Sequence, residues 1–286
     1  MPVHVESFFE EVTATFSHVL VAADGHCAII DAVLNYDPRN AHTTTQSADA
    51  IIDYVRRNAL HVEWILDTHV HADHMSAAAY LKRELGGRTA IGEHVREVQA
   101  LFGQLYDAEA DFRTDGSQFD RLLAEGDVIE LGALRIEVWH VPGHTPACLA
   151  YRVEDCVFVG DIIFMPDVGT ARCDFPGGSA RTLYRSVRRL LALPPATRLY
   201  LCHDYPPPGR ALSAVCSVGE SRAANIDIHD GVDEESFVAE RTRRDAELTL
   251  PNLMLAVLQV NMRAGELPPP AANGTRYLKI PLNVLG

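Results

Sequence analysis

The sequence has few lysines and little positive charge. Lys82 and Lys279 are the only lysines among 25 basic residues, and 39 acidic residues give a formal net charge of −14 at pH 7. Nucleic-acid binding depends on a basic surface that neutralises phosphates. The charge balance therefore argues against a nucleic-acid partner.

The chain also lacks long apolar runs and paired cysteines. No stretch approaches the roughly 18 apolar residues that a membrane span needs, and the opening MPVHVE has neither the basic nor the apolar region of a signal peptide. None of the six cysteines forms a CxxC pair, unlike the dense spacing of secreted disulfide scaffolds. These features predict a cytoplasmic protein with reduced thiols and no membrane partner.

The first half of the chain alternates strand-like and helical patterns. Its β-rich apolar runs predict strands at 15–22, 27–33 and 62–66, the first two joined by the turn Asp24-Gly25. Helical spacing predicts helices at 47–58, with Ser47 as N-cap, and at 76–85 and 95–106. The polar segment 107–126 is predicted to be a surface loop.

The second half repeats this alternation. Strands are predicted at 128–131, 134–141, 148–153, 156–159 and 199–202. Helices are predicted at 179–193, 234–248 and 252–264, with Asp233 as an N-cap. Two strand-rich halves flanked by helices indicate a sandwich of two sheets, and 47% hydrophobic content suffices for its core.

A dense group of potential metal ligands follows the predicted strand 62–66. The hexapeptide HVHADH contains His69, His71, Asp73 and His74 within six residues. Ligands gather at the carboxyl ends of strands in sheet-based α/β folds. The spacing therefore predicts a metal site rather than a polar surface loop.

Three further candidate ligands also follow predicted strands. His144 lies in PGHT after strand 134–141, Asp161 lies in VGD after strand 156–159, and His203 lies in CHD after strand 199–202. Because each residue comes just after a strand, we expect all three to meet the HVHADH group at one edge of the sheets.

This succession of motifs resembles the metallo-β-lactamase superfamily, over residues 15 to about 210. The resemblance implies an α/β (α+β) fold, a four-layer αββα sandwich with a metal site at one sheet edge. It also implies a catalytic core at 1–210 and a C-terminal helical extension at 211–286 that packs on the same domain.

The resemblance leaves the number of metal ions open. Dinuclear members are hydrolases of thioesters or esters, as in glyoxalase II, and use two zinc ions or mixed metals. In that model His69, His71 and His144 hold one ion, Asp161 bridges the pair, and the second ion is held by Asp73, His74 and His203.

Other segments resemble one branch of the superfamily, the persulfide dioxygenases. They are GTARCDF at 169–175, TLYRSV at 182–187, HDY at 203–205 and NMRAG at 261–265. That resemblance implies one Fe(II) per chain, held by His69, His144 and Asp161. His71, Asp73, His74 and His203 would then orient the iron ligands, bind water or tune the iron without binding it directly.

The branch resemblance also implies a substrate. It predicts that a glutathione persulfide, or a similar small persulfide, reacts with dioxygen to give sulfite and thiol, and it predicts a homodimer. A metal-binding sulfur sensor without catalysis is an alternative of another class. Iron rather than zinc is expected because zinc has no redox chemistry.

Three residues are predicted to contact the substrate. Arg172 is the candidate for a carboxylate, because a guanidinium holds carboxylates in a bidentate manner. Tyr205 is predicted to orient bound species. Cys173 is a departure: many relatives of the branch have GRTDF where this chain has ARCDF, which places a thiol near the predicted site.

The charged run at 240–245 has a simpler interpretation. The sequence ERTRRD predicts a solvated helix face with pairs four residues apart, such as Glu240 with Arg244. The resemblance to glyoxalase II, in which basic residues of the C-terminal part contact glutathione, implies glutathione binding as the alternative for this run.

Overall fold

The structure is a computed structural model that describes residues 3–284. Within them the strands are β1 (His4–Glu10), β2 (Thr15–Val21), β3 (His26–Ile30), β4 (Val33–Asp37), β5 (His42–Thr44), β6 (His61–Leu66), β7 (Met75–Ser76), β8 (Arg88–Gly92), β9 (Arg121–Leu123), β10 (Val128–Leu131), β11 (Leu134–His140), β12 (Leu149–Val153), β13 (Cys156–Phe158), β14 (Arg198–Tyr200) and β15 (Val215–Ser217). The helices are α1 (Gln46–Arg57), α2 (Ala78–Leu85), α3 (Val95–Leu105), α4 (Ala180–Leu191), α5 (Val218–Ala224), α6 (Glu234–Asp245) and α7 (Met254–Asn261).

The strands form two large sheets that pack face to face. One sheet has the order β1-β2-β3-β6-β8-β9, the other has the order β10-β11-β12-β13-β14-β15, and β5-β4-β7 form a small third sheet. The segment after residue 210 contributes β15 to the second sheet, and α5 and α6 contact α4 or β15. The predicted sandwich of two sheets is confirmed.

Alternating side chains divide the core into layers. In β6, Trp64 and Leu66 lie in the core between the two sheets, whereas Ile65 packs in the core under α1 and α2. In β13, Phe158 lies between the sheets and Val157 packs in the core that includes α4. Successive residues of a strand point to opposite faces, so both sheets are buried on two sides and the layers read αββα.

Most predicted helices are confirmed, with shifted ends. Ser179 caps α4 by accepting a hydrogen bond from the Thr182 amide, and Asp233 caps α6 as predicted. The prediction of Ser47 as N-cap of α1 is wrong, because the helix begins at Gln46. The Ser47 hydroxyl instead accepts a hydrogen bond from Asn35, 2.9 Å away.

Several strands of the structure were not predicted from the sequence. The predicted surface loop 107–126 contains β9, so that prediction is wrong over Arg121–Leu123. The predictions also omit β1 and the central strand β8. β8 has five residues of which four are buried, and β9 has only three residues, so neither shows clear polar alternation; both form because neighbouring strands supply their hydrogen bonds. The seven-residue edge strand β1 has no such explanation.

The loops that follow five of the strands lie at one edge of the sandwich. In the first sheet, β3 and β6 are parallel. In the second sheet, β11 and β13 both run antiparallel to β12, and β14 runs parallel to β13. The loops after these five strands therefore lie at one edge, where the Leu149 amide donates to the Thr68 carbonyl at 2.9 Å and joins the sheets.

Within residues 3–284, none of the helices is long and apolar enough to cross a membrane.

A buried histidine makes the fold sensitive to acid. His18 in β2 is 1% exposed, donates from Nε2 to the Leu201 carbonyl at 2.9 Å and accepts from the Ser7 hydroxyl at 2.9 Å. Burial lowers the pKa of His18 to about 4. Because the unfolded chain protonates this residue near pH 6.5, the unfolded state binds more protons at intermediate pH, and stability is lost as pH falls through this window.

We expect a His18→Gln variant to lose less stability in acid than the wild type. Glutamine stays neutral and its amide can still donate to Leu201. Between pH 7 and pH 5, the free energy of unfolding should fall by about 2 kcal/mol more in the wild type. Urea unfolding of chelator-treated protein at both pH values measures this difference, and equal losses in both proteins would contradict it.

Candidate metal centre

Loops at this edge bring the predicted ligands together. The loop after β6 carries the HVHADH residues, and the loops after β11, β13 and β14 carry one candidate ligand each. All seven side chains are buried except that of Asp73, which is 28% exposed. Residues distant in sequence thus form one cluster.

The first ligand group consists of His69, His144 and Asp161. One side-chain ligand atom from each lies within 4.8 Å of the others. Nε2 of His69 is 3.5 Å from Oδ2 of Asp161, and Nε2 of His144 is 3.9 Å from the same oxygen. Two imidazoles and one carboxylate therefore face a common point.

The second ligand group consists of His71, Asp73, His74 and His203. Nε2 of His203 is 2.9 Å from Oδ2 of Asp73 and 3.3 Å from Oδ1 of Asp161. Nδ1 of His74 is 3.4 Å from Oδ1 of Asp73. The two groups meet at Asp161, which offers one oxygen to each.

The cluster contains many buried polar atoms without hydrogen-bond partners. Each such atom normally costs about 1–3 kcal/mol, so several in one place indicate a cation site. Within residues 3–284, the orphaned atoms of the two groups are His69 Nε2, His71 Nδ1, Asp73 Oδ2, His74 Nδ1 and Nε2, Asp161 Oδ1 and His203 Nε2. The donor set is nitrogen and oxygen, which suits iron or zinc.

Asp31, at the end of β3, orients two of these histidines. Its Oδ1 accepts from His71 Nε2 at 2.9 Å, and its Oδ2 accepts from the Thr68 hydroxyl at 2.9 Å. That hydroxyl is 3.1 Å from Nδ1 of His69. Asp31 was not predicted as a site residue, because the predicted strand 27–33 placed it inside a strand, whereas β3 ends at Ile30 and leaves Asp31 at the same edge as the ligands.

Backbone carbonyls orient two further histidines. Nδ1 of His144 donates to the Arg172 carbonyl at 2.8 Å, and Nδ1 of His203 donates to the Ala14 carbonyl at 3.2 Å. Because Nδ1 carries a proton in both rings, Nε2 is the nitrogen that would offer its lone pair to a bound metal. Such outer partners fix the tautomer of metal-binding histidines.

The electrostatics favour anionic carboxylates and a neutral His71. Burial alone would raise the pKa values of Asp73 and Asp161, but their combined interactions with neighbouring histidines, His203 foremost, hold both well below their usual range. Burial, together with His74 and His69, lowers the pKa of His71 to about 4. Both carboxylates are therefore charged at neutral pH, and Nδ1 of His71 keeps its lone pair.

Gly160 lets the Asp161 loop pass close to the histidine loop. Its φ is 55°, and a Cβ there would lie 2.6 Å from the Thr68 hydroxyl oxygen. A larger residue would be strained in this conformation and would displace Thr68, which contacts His69.

A cavity of about 650 Å³ opens onto the first ligand group. His144 and Asp161 line one part of it, and Arg172 and Tyr205 line it as well. The Tyr205 ring stacks on His203 with centroids 5.9 Å apart and an interplanar angle of 7°. The volume is within the range of small-molecule sites.

Two of the predicted substrate residues have other partners. The guanidinium of Arg172 makes a two-pronged ion pair with Asp174, with both distances 2.6 Å. Cys173 does not line the cavity; its thiol packs in the core beside α4, and burial raises its pKa. The Cys173 side chain therefore packs in the core, whereas Tyr205 and Arg172 lie at the cavity wall.

The charged run on α6 is not a uniformly solvated face. Arg241 is 4% exposed and pairs with Asp245, while Arg244 pairs with Asp227 rather than with Glu240. Glu240 pairs instead with Arg243. The predicted Glu240–Arg244 pair is wrong because Asp227, on the loop before α6, lies closer to Arg244.

The sequence matches the family model of the metallo-beta-lactamase superfamily over residues 12–203. The chain belongs to this superfamily. The matched span includes both ligand groups, and the resemblance predicted from the motif order is confirmed.

Relatives within the superfamily carry different names. The chain is 55% identical to a probable metallo-hydrolase of Burkholderia pseudomallei, over 98% of this chain and 99% of the relative. It is 49% identical to glyoxylase B2 of Dictyostelium discoideum, over 98% and 97%. It is 28% identical to the mitochondrial persulfide dioxygenase ETHE1 of Homo sapiens, over 94% and 92%.

A solved superfamily structure supports the fold. ETHE1 from Myxococcus xanthus superposes with a TM-score of 0.72 at 26% identity, covering 93% of this chain and 100% of that chain. The predicted α/β architecture of the metallo-β-lactamase type is therefore confirmed. The superfamily's relatives are named as both hydrolases and dioxygenases, so the family alone leaves the reaction open.

Proposed function

We propose that this protein oxidises glutathione persulfide, or a similar small persulfide, with dioxygen, using one Fe(II) per chain. The observation that carries the proposal is the first ligand group, two histidines and one aspartate that face a common point beside the cavity. The relationship to human and Myxococcus ETHE1 over more than nine-tenths of the chain supports it.

The proposed reaction balances without a further oxidant. R–S–SH, dioxygen and water give R–SH, hydrogen sulfite and a proton, so the terminal sulfur is oxidised and dioxygen is reduced. An iron held by two histidines and one carboxylate would supply the redox chemistry with dioxygen, which zinc lacks.

The protein residues have separate tasks in this proposal. His69, His144 and Asp161 would hold the iron, and Asp31 keeps His69 and His71 in their orientations through the contacts described above. Phe164, Val168 and Leu248 give the cavity apolar walls that the carrier of the persulfide would contact. Tyr205 would help to orient the bound substrate.

A dinuclear hydrolase of thioesters or esters is the second candidate. The intact second ligand group favours it, because Asp73, His74 and His203 offer orphaned atoms next to Asp161. The names of the relatives at 55% and 49% identity, a metallo-hydrolase and glyoxylase B2, also favour it. In that reaction two zinc ions or mixed metals would be expected.

Oxygen uptake by the purified iron-loaded protein tests the proposal. Glutathione persulfide should cause uptake, with sulfite formed in proportion to the oxygen consumed, and S-lactoylglutathione should not be hydrolysed. The opposite pattern, hydrolysis without uptake, would establish the second candidate. Turnover of either substrate would exclude a non-catalytic sulfur sensor.

The metal content of an Asp73→Ala variant separates one metal from two. We expect about one iron per chain in both the wild type and the variant, because a lone iron does not need Asp73 as a ligand. Metal analysis after desalting measures this ratio, and Asp53→Ala, on the exposed side of α1, is the control. A fall from two metals to one would contradict the proposal.

A cytoplasmic location and a homodimer stay predictions.

A further inference from the structure

The segment NMRAG at 261–265 lies at the end of α7, outside the residues 12–203 that match the family model. Within residues 3–284, the two ligand groups and the cavity beside them are formed by other residues. The segment instead contacts the loop between β6 and β7, which carries the HVHADH residues. It therefore supports the candidate metal centre from behind.

The side chain of Asn261 makes three hydrogen bonds to the backbone of this loop. Its Nδ2 donates to the His71 carbonyl and to the His74 carbonyl, both at 2.8 Å. Its Oδ1 accepts from the Ser76 amide at 2.8 Å. A side-chain amide has two donor hydrogens, and the loop uses both of them. One side chain, 2% exposed, thus fixes three backbone groups between residues 71 and 76.

The loop needs such a partner because it is buried and irregular. Residues 67–74 form no helix or strand, so neither kind of ladder satisfies their carbonyls. His71 and His74 are completely buried, and a buried carbonyl without a partner is unfavourable. The amide of Asn261 takes the place of the missing backbone partners.

Gly265 provides a second contact between the segment and the loop. Its φ is 81°, and a Cβ there would lie 2.8 Å from the Ser76 carbonyl oxygen and 3.0 Å from the Ala79 amide nitrogen. A larger residue would be strained and would push the end of α7 away from the loop. The close approach that Gly265 permits keeps Asn261 within hydrogen-bond distance.

We propose that Asn261 is a positioning residue of the candidate metal centre. By fixing the backbone on both sides of Asp73, it keeps that carboxylate facing Nε2 of His203 at 2.9 Å. The His71 ring lies against the His69 ring, with centroids 4.1 Å apart, so a displaced loop also disturbs the first ligand group. The role holds for one metal ion or for two, and it makes the C-terminal segment part of the metal centre.

Co(II) binding to the chelator-treated protein tests this role, because the visible absorption of bound Co(II) reports its ligand geometry without turnover. We expect Asn261→Asp to bind Co(II) about 10–100-fold more weakly and with an altered spectrum, since a carboxylate cannot donate to the two carbonyls. Asn261→Leu has nearly the same shape and no charge, and it should have the same effect.

Gln259 provides a matched control on the same helix. It is 3% exposed, its Nε2 donates to the Lys279 carbonyl at 2.8 Å, and its Oε1 accepts from the Lys279 amide at 2.9 Å. This buried amide therefore fixes the C-terminal segment rather than the metal loop. Gln259→Glu and Gln259→Met should bind Co(II) with the affinity and the spectrum of the wild type.

Two results would overturn the role of Asn261. One is wild-type Co(II) affinity and spectrum in Asn261→Asp, or equal losses in the Gln259 variants. The other is an Asn261→Leu protein that fails to fold without metal while Gln259→Met folds, because Asn261 would then support the core rather than the loop. Oxygen uptake is not part of this test, so failure of the proposed reaction would leave its result unchanged.

Discussion

A His144→Ala variant is expected to bind iron more than about 100-fold more weakly than the wild type and to lose measurable turnover. His144 provides one of the three converging atoms of the first ligand group, and its Nδ1 is held by the Arg172 carbonyl at 2.8 Å. Loss of an outer partner of a metal ligand typically costs about 10–100-fold in affinity or activity. Loss of a ligand itself should cost more.

Metal analysis, chelator competition and oxygen uptake measure this effect. His229→Ala is the control, since His229 is an exposed histidine that bonds to the Asp230 carbonyl outside the cluster. Both variants should keep the circular dichroism of the wild type. A His144→Ala protein that retains its iron and most of its turnover would contradict the assignment of this residue to the metal centre.

An Asp31→Asn variant should bind iron about 10–100-fold more weakly, although Asp31 is not a ligand in the proposed site. The carboxylate accepts bonds from the Thr68 amide at 2.7 Å, from the Thr68 hydroxyl and from His71. Burial alone would raise the pKa of Asp31, but its interactions with His71 and the hydrogen bond from the Thr68 amide lower it. Asparagine removes the charge and one acceptor, so His69 and His71 lose a fixed orientation.

The backbone of Asp31 makes asparagine a suitable replacement. Its φ is 51°, a left-handed conformation that both aspartate and asparagine tolerate. Asp107→Asn is a matched control, because Asp107 has a φ of 47° and a side chain that is 95% exposed. Competition with a chelator gives the affinities. Equal iron affinity in Asp31→Asn and Asp107→Asn would rule out the orienting role of Asp31.

Much of the fold can be predicted from the sequence because periodic burial is a local signal. The helices α3, α4 and α6 and the strands β2, β6 and β11 come from segments whose apolar spacing matches helix or strand geometry. The short strands β8 and β9 have no such pattern. They exist because β6 and its neighbours supply hydrogen bonds along the sheet.

The sequence alone determines which residue types follow the strands, and hence the candidate ligands and the superfamily, because each ligand lies within a few residues of the strand that precedes it. Only the tertiary structure decides which imidazole nitrogens are free and that Asp31 supports His71, 40 positions further along the chain. It also decides that Asp174 and the Thr249 carbonyl occupy the guanidinium of Arg172. Such differences depend on which charged partners the folded chain brings within hydrogen-bond distance, and residue spacing does not encode that.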